Sequence, residues 1–321
     1  MGLYETRLGL DLAMGAVSAV EAAAIAADRL SGRGDEKAAD QAAVDGMRTA
    51  LNALDIDGEI VIGEGERDEA PMLYIGEKVG TGKGPKIAIA LDPLEGTTLT
   101  AKRMANALAV LAMAPEGGLL NAPDVYMDKL AIGPGFEPGL VDIDRSPAEN
   151  AKALAKAKGV AVEDLTVCVL DRPRHSEIIS GLRAAGARLH LISDGDVAGV
   201  IHTTDPSTGI DMYVGQGGAP EGVLAAAALK CVGGQFQGRL VFRNDDERAR
   251  GRRWGLADLD RKYVLDDLVR GHAIFAATGV TDGAMLDGVK IRADGIHTHS
   301  IVMNSSDGVV RTIRAHFPVK A

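Results

Sequence analysis

Large aromatic side chains and cysteines are scarce in this sequence of 321 residues, and it has no excess of basic charge. Phe, Trp and Tyr make up only 3% of it, so aliphatic and alanine side chains must fill the core. The two cysteines, Cys168 and Cys231, lie far apart in apolar surroundings, which indicates buried thiols rather than a disulfide or metal site. Acidic residues outnumber basic ones by 45 to 35, giving a net charge of −10. Nucleic acids and anionic membranes, which attract basic surfaces, are therefore not expected partners.

Long apolar runs and a secretory leader are missing as well. The longest alanine-rich segment, residues 17–27, is interrupted by Glu21 and is shorter than the ~20 apolar residues that a membrane span requires. No basic region followed by an apolar stretch stands at the N-terminus, so we expect no signal peptide and a cytoplasmic location. The hydrophobic content of 46% excludes disorder as the main state.

Glycine, in contrast, is abundant, with 40 of 321 residues against a usual ~7%. Helical spacing of apolar residues predicts helices over about 5–31 and 35–51, and apolar runs predict strands at 58–62, 86–91 and 108–114. Beyond residue 160 strands and helices alternate: strands at 165–170, 188–192 and 210–214, helices at 176–185, 197–202 and 220–232. This pattern predicts an α/β fold with two parts, 1–160 and 161–321.

Carboxylates at the ends of buried strands are the strongest chemical signal. The motif Asp-Pro-Leu-Glu-Gly-Thr at 92–97 directly follows a buried strand, and its proline can aim two carboxylates at one point. Glu64 stands between two glycines after another strand. Carboxylate oxygens suit hard cations such as Mg²⁺ or Mn²⁺. A single acidic residue is more often solvated or a helix cap, and we favour that interpretation for Glu66, Asp68 and Glu69.

Further polar groups follow three later strands in succession, where open α/β sheets place their ligands. Arg172 and Arg174 flank a proline, so both guanidinium groups can face an outside anion, although two solvated arginines explain the pattern equally well. The other polar residues are Asp194, Asp196 and Glu221. Two histidines, His297 and His299, share one face of a predicted strand; with no third ligand nearby in sequence, an exposed face is favoured over a metal site.

Four segments resemble the class II (GlpX-type) fructose-1,6-bisphosphatases: 63–78, Asp-Pro-Leu-Glu-Gly-Thr at 92–97, Asn-Ala-Pro-Asp-Val-Tyr-Met at 121–127 and Gly-Gly-Ala-Pro-Glu-Gly at 217–222. The motif at 92–97 by itself marks the wider superfamily of metal-dependent sugar phosphatases. The resemblance implies an αβαβα sandwich, with most metal ligands in 1–160 and the sugar-phosphate contacts in 161–321. It also implies dependence on Mg²⁺ or Mn²⁺, a cytosolic role in gluconeogenesis and glycerol metabolism, and a homo-oligomer, either dimer or tetramer.

By the same resemblance, each functional position of the family falls on a residue of this chain. The metal carboxylates are Asp40, Glu64, Asp92, Glu95 and Glu221. The catalytic threonine is Thr97, and the substrate contacts are Glu95, Gly96, Thr97, Tyr126, Arg172, Arg174, Asp194, Asp196 and Gly218. One departure concerns Glu36, which stands where the family often has a lysine, while Lys37 comes one residue later, about 100° around a helix.

The expected reaction is hydrolysis of the 1-phosphate of fructose-1,6-bisphosphate by metal-assisted attack of water. The main alternative is an enzyme that also acts on sedoheptulose-1,7-bisphosphate. An inositol monophosphatase is less favoured, because a monophosphate does not need the second anion site around Arg172 and Arg174. A nucleotide-binding oxidoreductase lacks its glycine fingerprint here. A non-catalytic sugar-phosphate sensor would need neither Thr97 nor five carboxylates.

Overall fold

A computed structural model describes residues 7–65, 73–253 and 255–319 of the chain, so Glu66, Asp68 and Glu69 lie outside the described residues. In chain order the elements are α1 (Leu10–Asp28), α2 (Glu36–Leu51), β1 (Asp57–Ile62), β2 (Lys78–Val79), β3 (Lys86–Glu95), α3 (Thr97–Ala101), β4 (Leu108–Pro115), β5 (Tyr126–Ile132), α4 (Pro147–Lys158), β6 (Thr166–Leu170), α5 (Ser176–Ala184), β7 (Arg188–Ile192), α6 (Asp196–Ile201), β8 (Met212–Gly218), α7 (Ala219–Val232), β9 (Gln235–Val241), α8 (Asp245–Arg253), β10 (Lys262–Val264), α9 (Leu265–Leu268), β11 (Ile274–Gly279), β12 (Lys290–Arg292), β13 (Gly295–Asn304) and β14 (Val309–Pro318).

Two mixed sheets organise these elements, which confirms the predicted α/β layered class. One sheet has the order β12-β13-β11-β4-β3-β1-β2, with β14 pairing with β13. The other has the order β10-β9-β5-β8-β6-β7. Parallel pairing occurs between β1 and β3 and between β6 and its neighbours β7 and β8. The alternation of strands and helices after residue 160 therefore builds only part of the second sheet, and antiparallel strands complete it.

The chain divides into two compact units, and each matches one sheet. Unit 1 comprises Met1–Asn121 and Val269–Ala321, and unit 2 comprises Ala122–Leu268. These bounds differ from the expected division at residue 160. The physical reason is strand pairing: β5 pairs with β8 and β9 in the second sheet, whereas β11 pairs with β4 in the first. The last strands of the chain thus return to the sheet that its first strands began.

Helix α1 is the central helix of the core of unit 1. It is long and apolar enough, by length and composition, to cross a membrane, but 56% of that window is buried inside the unit. Its alanine and valine side chains pack with β3, β4 and β11 in one hydrophobic cluster. The small side chains let α2 pack closely beside it, and Asp35 begins α2 by accepting a hydrogen bond from the amide of Ala38 at 3.0 Å.

Helices cover both faces of the sheet in unit 2. Leu130 and Ile132 of β5 pack with α4 and α5 in one apolar cluster. Met127 and Lys129 lie on the other face, because side chains alternate along a strand, and there they approach Gly222 of α7. Cys168 and Cys231 are free and buried, as predicted, and burial raises the pKa of the Cys168 thiol to about 12. Residues at the ends of β5, β6 and β8 are thereby held on a rigid support.

Candidate active site

In unit 1 the predicted carboxylates gather at one end of the parallel pair β1–β3. Ile62 of β1 is paired with Ala90 of β3. Glu64 lies two residues beyond Ile62, and Asp92 lies two residues beyond Ala90. Since neighbouring strands run only about 4.8 Å apart, the pairing places Glu64 and Asp92 at the same end of the sheet. Both are half-buried.

The first four residues of the motif at 92–97 do not follow the strand, as predicted, but form the last part of β3 itself. The register between β3 and β4 shifts there: Asp92 is paired with Val110, and Glu95 is paired with Leu108. This bulge accommodates Pro93, because a proline has no amide proton for the ladder. Val110 and Leu108 are two residues apart and share one face, so their partners Asp92 and Glu95 also share one face. Without the extra residue, a spacing of three would put the two carboxylates on opposite faces.

Thr97 follows at once as the first residue of the short helix α3. Gly96 precedes it with φ at 87°, a left-handed conformation that favours glycine. This conformation turns the chain sharply between Glu95, which is buried, and Thr97, which is half-buried. The carboxyl of Asp92 accepts a hydrogen bond from the amide of Leu94 at 3.0 Å, which holds the preceding bulge.

The first turn of α2 lies beside this helix. The hydroxyl of Thr98 donates to the carboxylate of Glu36 at 2.9 Å. Asp40 stands four residues after Glu36, one helical turn along the same face. Lys37 is exposed. Glu36 therefore bonds the neighbour of Thr97, and the sequence offered no signal for this contact.

Three of the predicted substrate contacts, Tyr126, Arg174 and Gly218, lie together in unit 2. Tyr126 of β5 is the direct partner of Gly218 of β8. The guanidinium of Arg174 lies 5.0 Å from the centre of the Tyr126 ring and donates to the carbonyl oxygen of Gln216 at 2.8 Å. Arg243, which sequence reasoning missed, lies 4.8 Å from the same ring. Two cations thus lie beside one phenol ring, and Arg243 is also paired with Glu247 at 2.6 Å.

His175 fixes the loop that carries the two predicted arginines. Its Nε2 accepts a hydrogen bond from the amide of Gln216 at 2.8 Å, so its proton is on Nδ1, which donates to the carbonyl of Leu170 at 2.7 Å. Burial lowers the pKa of this imidazole, which favours the neutral ring that these bonds require. Arg172, half-buried, and Arg174, exposed, flank Pro173 in the segment that His175 ties to β8.

A fully buried lysine, Lys129, holds the polar cluster beneath α7. Its ammonium is 2.5 Å from a carboxylate oxygen of Asp196, and its side chain is 1% exposed. Asp196 begins α6 after Gly195, whose φ is 83°, and Asp194 stands half-buried just before. Apolar residues surround Lys129 in β5, so no pattern in the sequence indicated its role. Its partner Asp196 lies 67 residues away.

Two glycines at the end of β8, Gly217 and Gly218, leave room for the carboxylates of this cluster. A Cβ atom on Gly217 would stand 1.8 Å from a carboxylate oxygen of Asp196, and one on Gly218 would stand 1.9 Å from a carboxylate oxygen of Glu221. No side chain can occupy either position without moving these carboxylates. The predicted residues Asp196, Gly218 and Glu221 therefore lie together in unit 2.

The donor groups fit a hard divalent cation. One carboxylate oxygen of Glu221 is buried without a hydrogen-bond partner among the described residues. Burial, and then the nearby carboxylate of Asp196, raise the pKa of Glu221, while Lys129 opposes them. In unit 1, burial raises the pKa of Asp40. A bound cation stabilises the charged forms of such carboxylates, and their oxygen donors are those that Mg²⁺ and Mn²⁺ prefer.

The chain is similar to known proteins over most of its length. The family model described as bacterial fructose-1,6-bisphosphatase, glpX-encoded, matches residues 10–317. A protein of Prochlorococcus marinus (strain NATL1A), named D-fructose 1,6-bisphosphatase class 2/sedoheptulose 1,7-bisphosphatase, is 46% identical over 308 residues, 91% of each chain. A protein of Synechococcus sp. (strain CC9902) with the same name is 47% identical over 302 residues, 89% of this chain and 90% of its own length.

Proposed function

This chain belongs to the family of GlpX-type bacterial fructose-1,6-bisphosphatases, and on that premise we propose that it hydrolyses the 1-phosphate of fructose-1,6-bisphosphate. The products are fructose-6-phosphate and inorganic phosphate. The observation that carries the proposal is the match of the family model to residues 10–317, which includes every residue to which the sequence assigned a role. The chain is accordingly a phosphoric monoester hydrolase of carbohydrate metabolism.

The proposed ligands of Mg²⁺ or Mn²⁺ are Asp40, Glu64, Asp92, Glu95 and Glu221. The bound ions would neutralise the charge that develops on the phosphoryl and leaving oxygens, where phosphoryl transfer needs stabilisation most. The partnerless buried oxygen of Glu221 and the raised pKa of Asp40 support this set. The bulge in β3 supports it too, because it turns Asp92 and Glu95 to one face.

Thr97 is the proposed catalytic residue. Its hydroxyl would hydrogen-bond the attacking water and orient it, or help to remove its proton. The turn at Gly96 supports this role, because it brings the threonine directly after the buried carboxylate of Glu95. The bond between Thr98 and Glu36 holds the start of α3 to α2.

Unit 2 supplies the proposed contacts to the sugar and its 6-phosphate. Arg172 and Arg174 would bind the phosphate, and Asp194 and Asp196 would accept hydrogen bonds from sugar hydroxyls. The position of Arg174 beside the Tyr126 ring supports a phosphate site there, and the role of Gly218 is to let its backbone approach the substrate. We add Arg243 to this set because it lies beside the same ring.

Hydrolysis of sedoheptulose-1,7-bisphosphate is a second candidate activity. Three relatives that are 45–47% identical, including one from Prochlorococcus marinus (strain MIT 9301), carry both activities in their names. The two sugars differ by one carbon, and a pocket discriminates weakly between ligands that differ so little. We further propose that the enzyme is cytoplasmic, homo-oligomeric and gluconeogenic, as the family resemblance implies.

A phosphate-release assay tests the proposal. The substrates are fructose-1,6-bisphosphate, sedoheptulose-1,7-bisphosphate and inositol-1-phosphate, each with Mg²⁺, with Mn²⁺ and with a chelator. We expect rapid release from the first substrate, abolished by the chelator. Comparable release from the second would establish the dual activity, and undiminished release in chelator would refute the metal-assisted mechanism.

Thr97→Ala tests the catalytic role. We expect kcat to fall by about 100-fold or more with KM little changed, since a positioned proton-transfer group typically contributes about 10²–10⁴-fold. Thr100→Val is the matched control, because it removes from the same helix a buried hydroxyl that has no hydrogen-bond partner among the described residues. A rise in KM alone for Thr97→Ala would make Thr97 a binding residue instead.

A further inference from the structure

Two histidines face each other on the last two strands of unit 1. His297 of β13 is the direct antiparallel partner of His316 of β14. Their rings are stacked, with centroids 4.4 Å apart and planes 2° from parallel. The neighbouring histidine of β13, His299, lines the same surface cavity, but its Nδ1 already accepts a hydrogen bond from the amide of Asp287. The residue that joins His297 is therefore His316, which comes from the opposite strand and not from the neighbouring sequence.

Asp294 completes the group from the turn that precedes β13. The Nε2 atom of His297 lies 3.1 and 3.2 Å from its two carboxylate oxygens. The Nε2 atom of His316 lies 3.8 Å from the same carboxylate. One donor atom from each of the three residues lies within 4.8 Å of the others. Tetrahedral ligands held about 2.0–2.1 Å from one metal ion are about 3.3 Å apart, so small side-chain rotations suffice to converge on an ion.

Carboxylates neutralise most of the positive charge around the group. Three cations, Lys290, Arg292 and Arg314, line the same surface cavity as the two histidines. Two of them are paired with a carboxylate: Lys290 with Asp282 at 2.5 Å, and Arg314 with Asp287 at 2.6 Å. One hydrogen bond within the group competes with metal binding: Nε2 of His316 donates to the carbonyl oxygen of Asp294 at 3.0 Å. A metal at Nε2 replaces this bond, and the proton of the ring then lies on Nδ1.

We propose that Asp294, His297 and His316 form a binding site for a divalent transition-metal ion of the Zn²⁺ class. Two imidazole nitrogens and one carboxylate favour Zn²⁺ and its neighbours over Mg²⁺, which prefers oxygen ligands only. The site is thus chemically distinct from the carboxylate set proposed for Mg²⁺ or Mn²⁺. Three protein ligands leave a fourth position for water or another small ligand.

The ion would tie the last strand of the chain to the sheet. Within the described residues β14 pairs with β13 alone, and its side chains are largely exposed. Strand β14 therefore has few packing contacts of its own and depends on its ladder with β13. A metal bridging His297 and His316 adds a link that does not depend on packing.

Calorimetric titration of the tag-free, metal-stripped protein with Zn²⁺ in excess Mg²⁺ tests the site. We expect one Zn²⁺ per chain, with affinity at least tenfold lower in His297→Gln and in His316→Gln. His190→Gln is the matched control, because His190 is an exposed histidine on β7 of unit 2. Thermal melts without Zn²⁺ would show that the variants fold.

A second readout separates this site from the proposed active site. Zn²⁺ should raise the Tm of the wild type and of Asp92→Asn, but not that of His316→Gln. Zn²⁺ binding that both histidine variants retain, or that Asp92→Asn abolishes, would overturn the proposal, as would no binding at all. None of these outcomes depends on phosphatase activity.

Discussion

Replacing Lys129 by methionine is the sharpest test of how unit 2 holds its polar cluster. The substitution keeps an unbranched side chain of similar volume and removes the charge and the hydrogen-bond donors of the ammonium. Asp196 then remains buried without its ion pair, and Glu221 loses the one nearby cation that lowers its pKa.

The loss of stability expected for Lys129→Met follows from the burial of its ion pair with Asp196. Breaking a buried ion pair by removing one partner costs about 3–5 kcal/mol, because the remaining charge stays uncompensated in a low-dielectric site. The pair Lys158–Asp211 is the matched comparison within the same unit, since its lysine side chain is 35% exposed. Such a partly exposed pair contributes about 0–1 kcal/mol. Lys129→Met should therefore lower the free energy of unfolding several-fold more than Lys158→Met.

Urea unfolding of the two lysine variants, of Asp196→Asn and of the double variant Lys129→Met/Asp196→Asn measures this difference. Direct coupling predicts that the double variant loses less stability than the sum of the two single variants, by about 0.5–3 kcal/mol. A cost for Lys129→Met as small as that for Lys158→Met, or strict additivity in the cycle, would refute the reasoning.

Two further predictions concern single buried groups of unit 2. Burial lowers the pKa of His202 from 6.5 to about 4, so folding loses stability as the pH falls from 6.5 through 4, by about 3 kcal/mol at pH 4. Denaturant melts between pH 8 and pH 4 should show this loss in the wild type and a smaller one in His202→Gln; equal slopes would contradict it. Gly217→Ala should weaken substrate binding, because its Cβ would stand 1.8 Å from the carboxylate of Asp196, and Gly181→Ala, with open space at its Cβ, is the control for steady-state kinetics. Unchanged KM and kcat in Gly217→Ala would show that Asp196 can move freely.

Local patterns predicted most of the elements, and long-range pairing explains the exceptions. Helices α1 and α2 and strands β1, β3 and β4 follow from periodicity and turn residues that lie within each segment. The strands β5 and β9 were not predicted, because Lys129 in β5 and the glutamine and arginine residues in β9 interrupt their apolar patterns. The unit boundary was also displaced, since only strand pairing shows that β11 returns to the sheet of β4.

Local sequence patterns likewise indicated some of the site residues but not others. The sequence indicated Asp92 and Glu95 through their spacing, but the bulge that turns both to one face is a property of the ladder with β4. Arg243 and Lys129 were missed, because a lone arginine in a charged segment and a lone lysine in an apolar strand carry no local signal.

By itself the sequence determined the chemical family, the α/β class and the identity of the candidate carboxylates, because these depend on which residues stand at which local spacing. Only the tertiary structure decided which residues distant in sequence meet: Lys129 with Asp196, Arg243 with Tyr126, and His297 with His316. The physical reason is that the register between strands distant in sequence is set by the packing of the whole sheet. No window of the sequence contains that information.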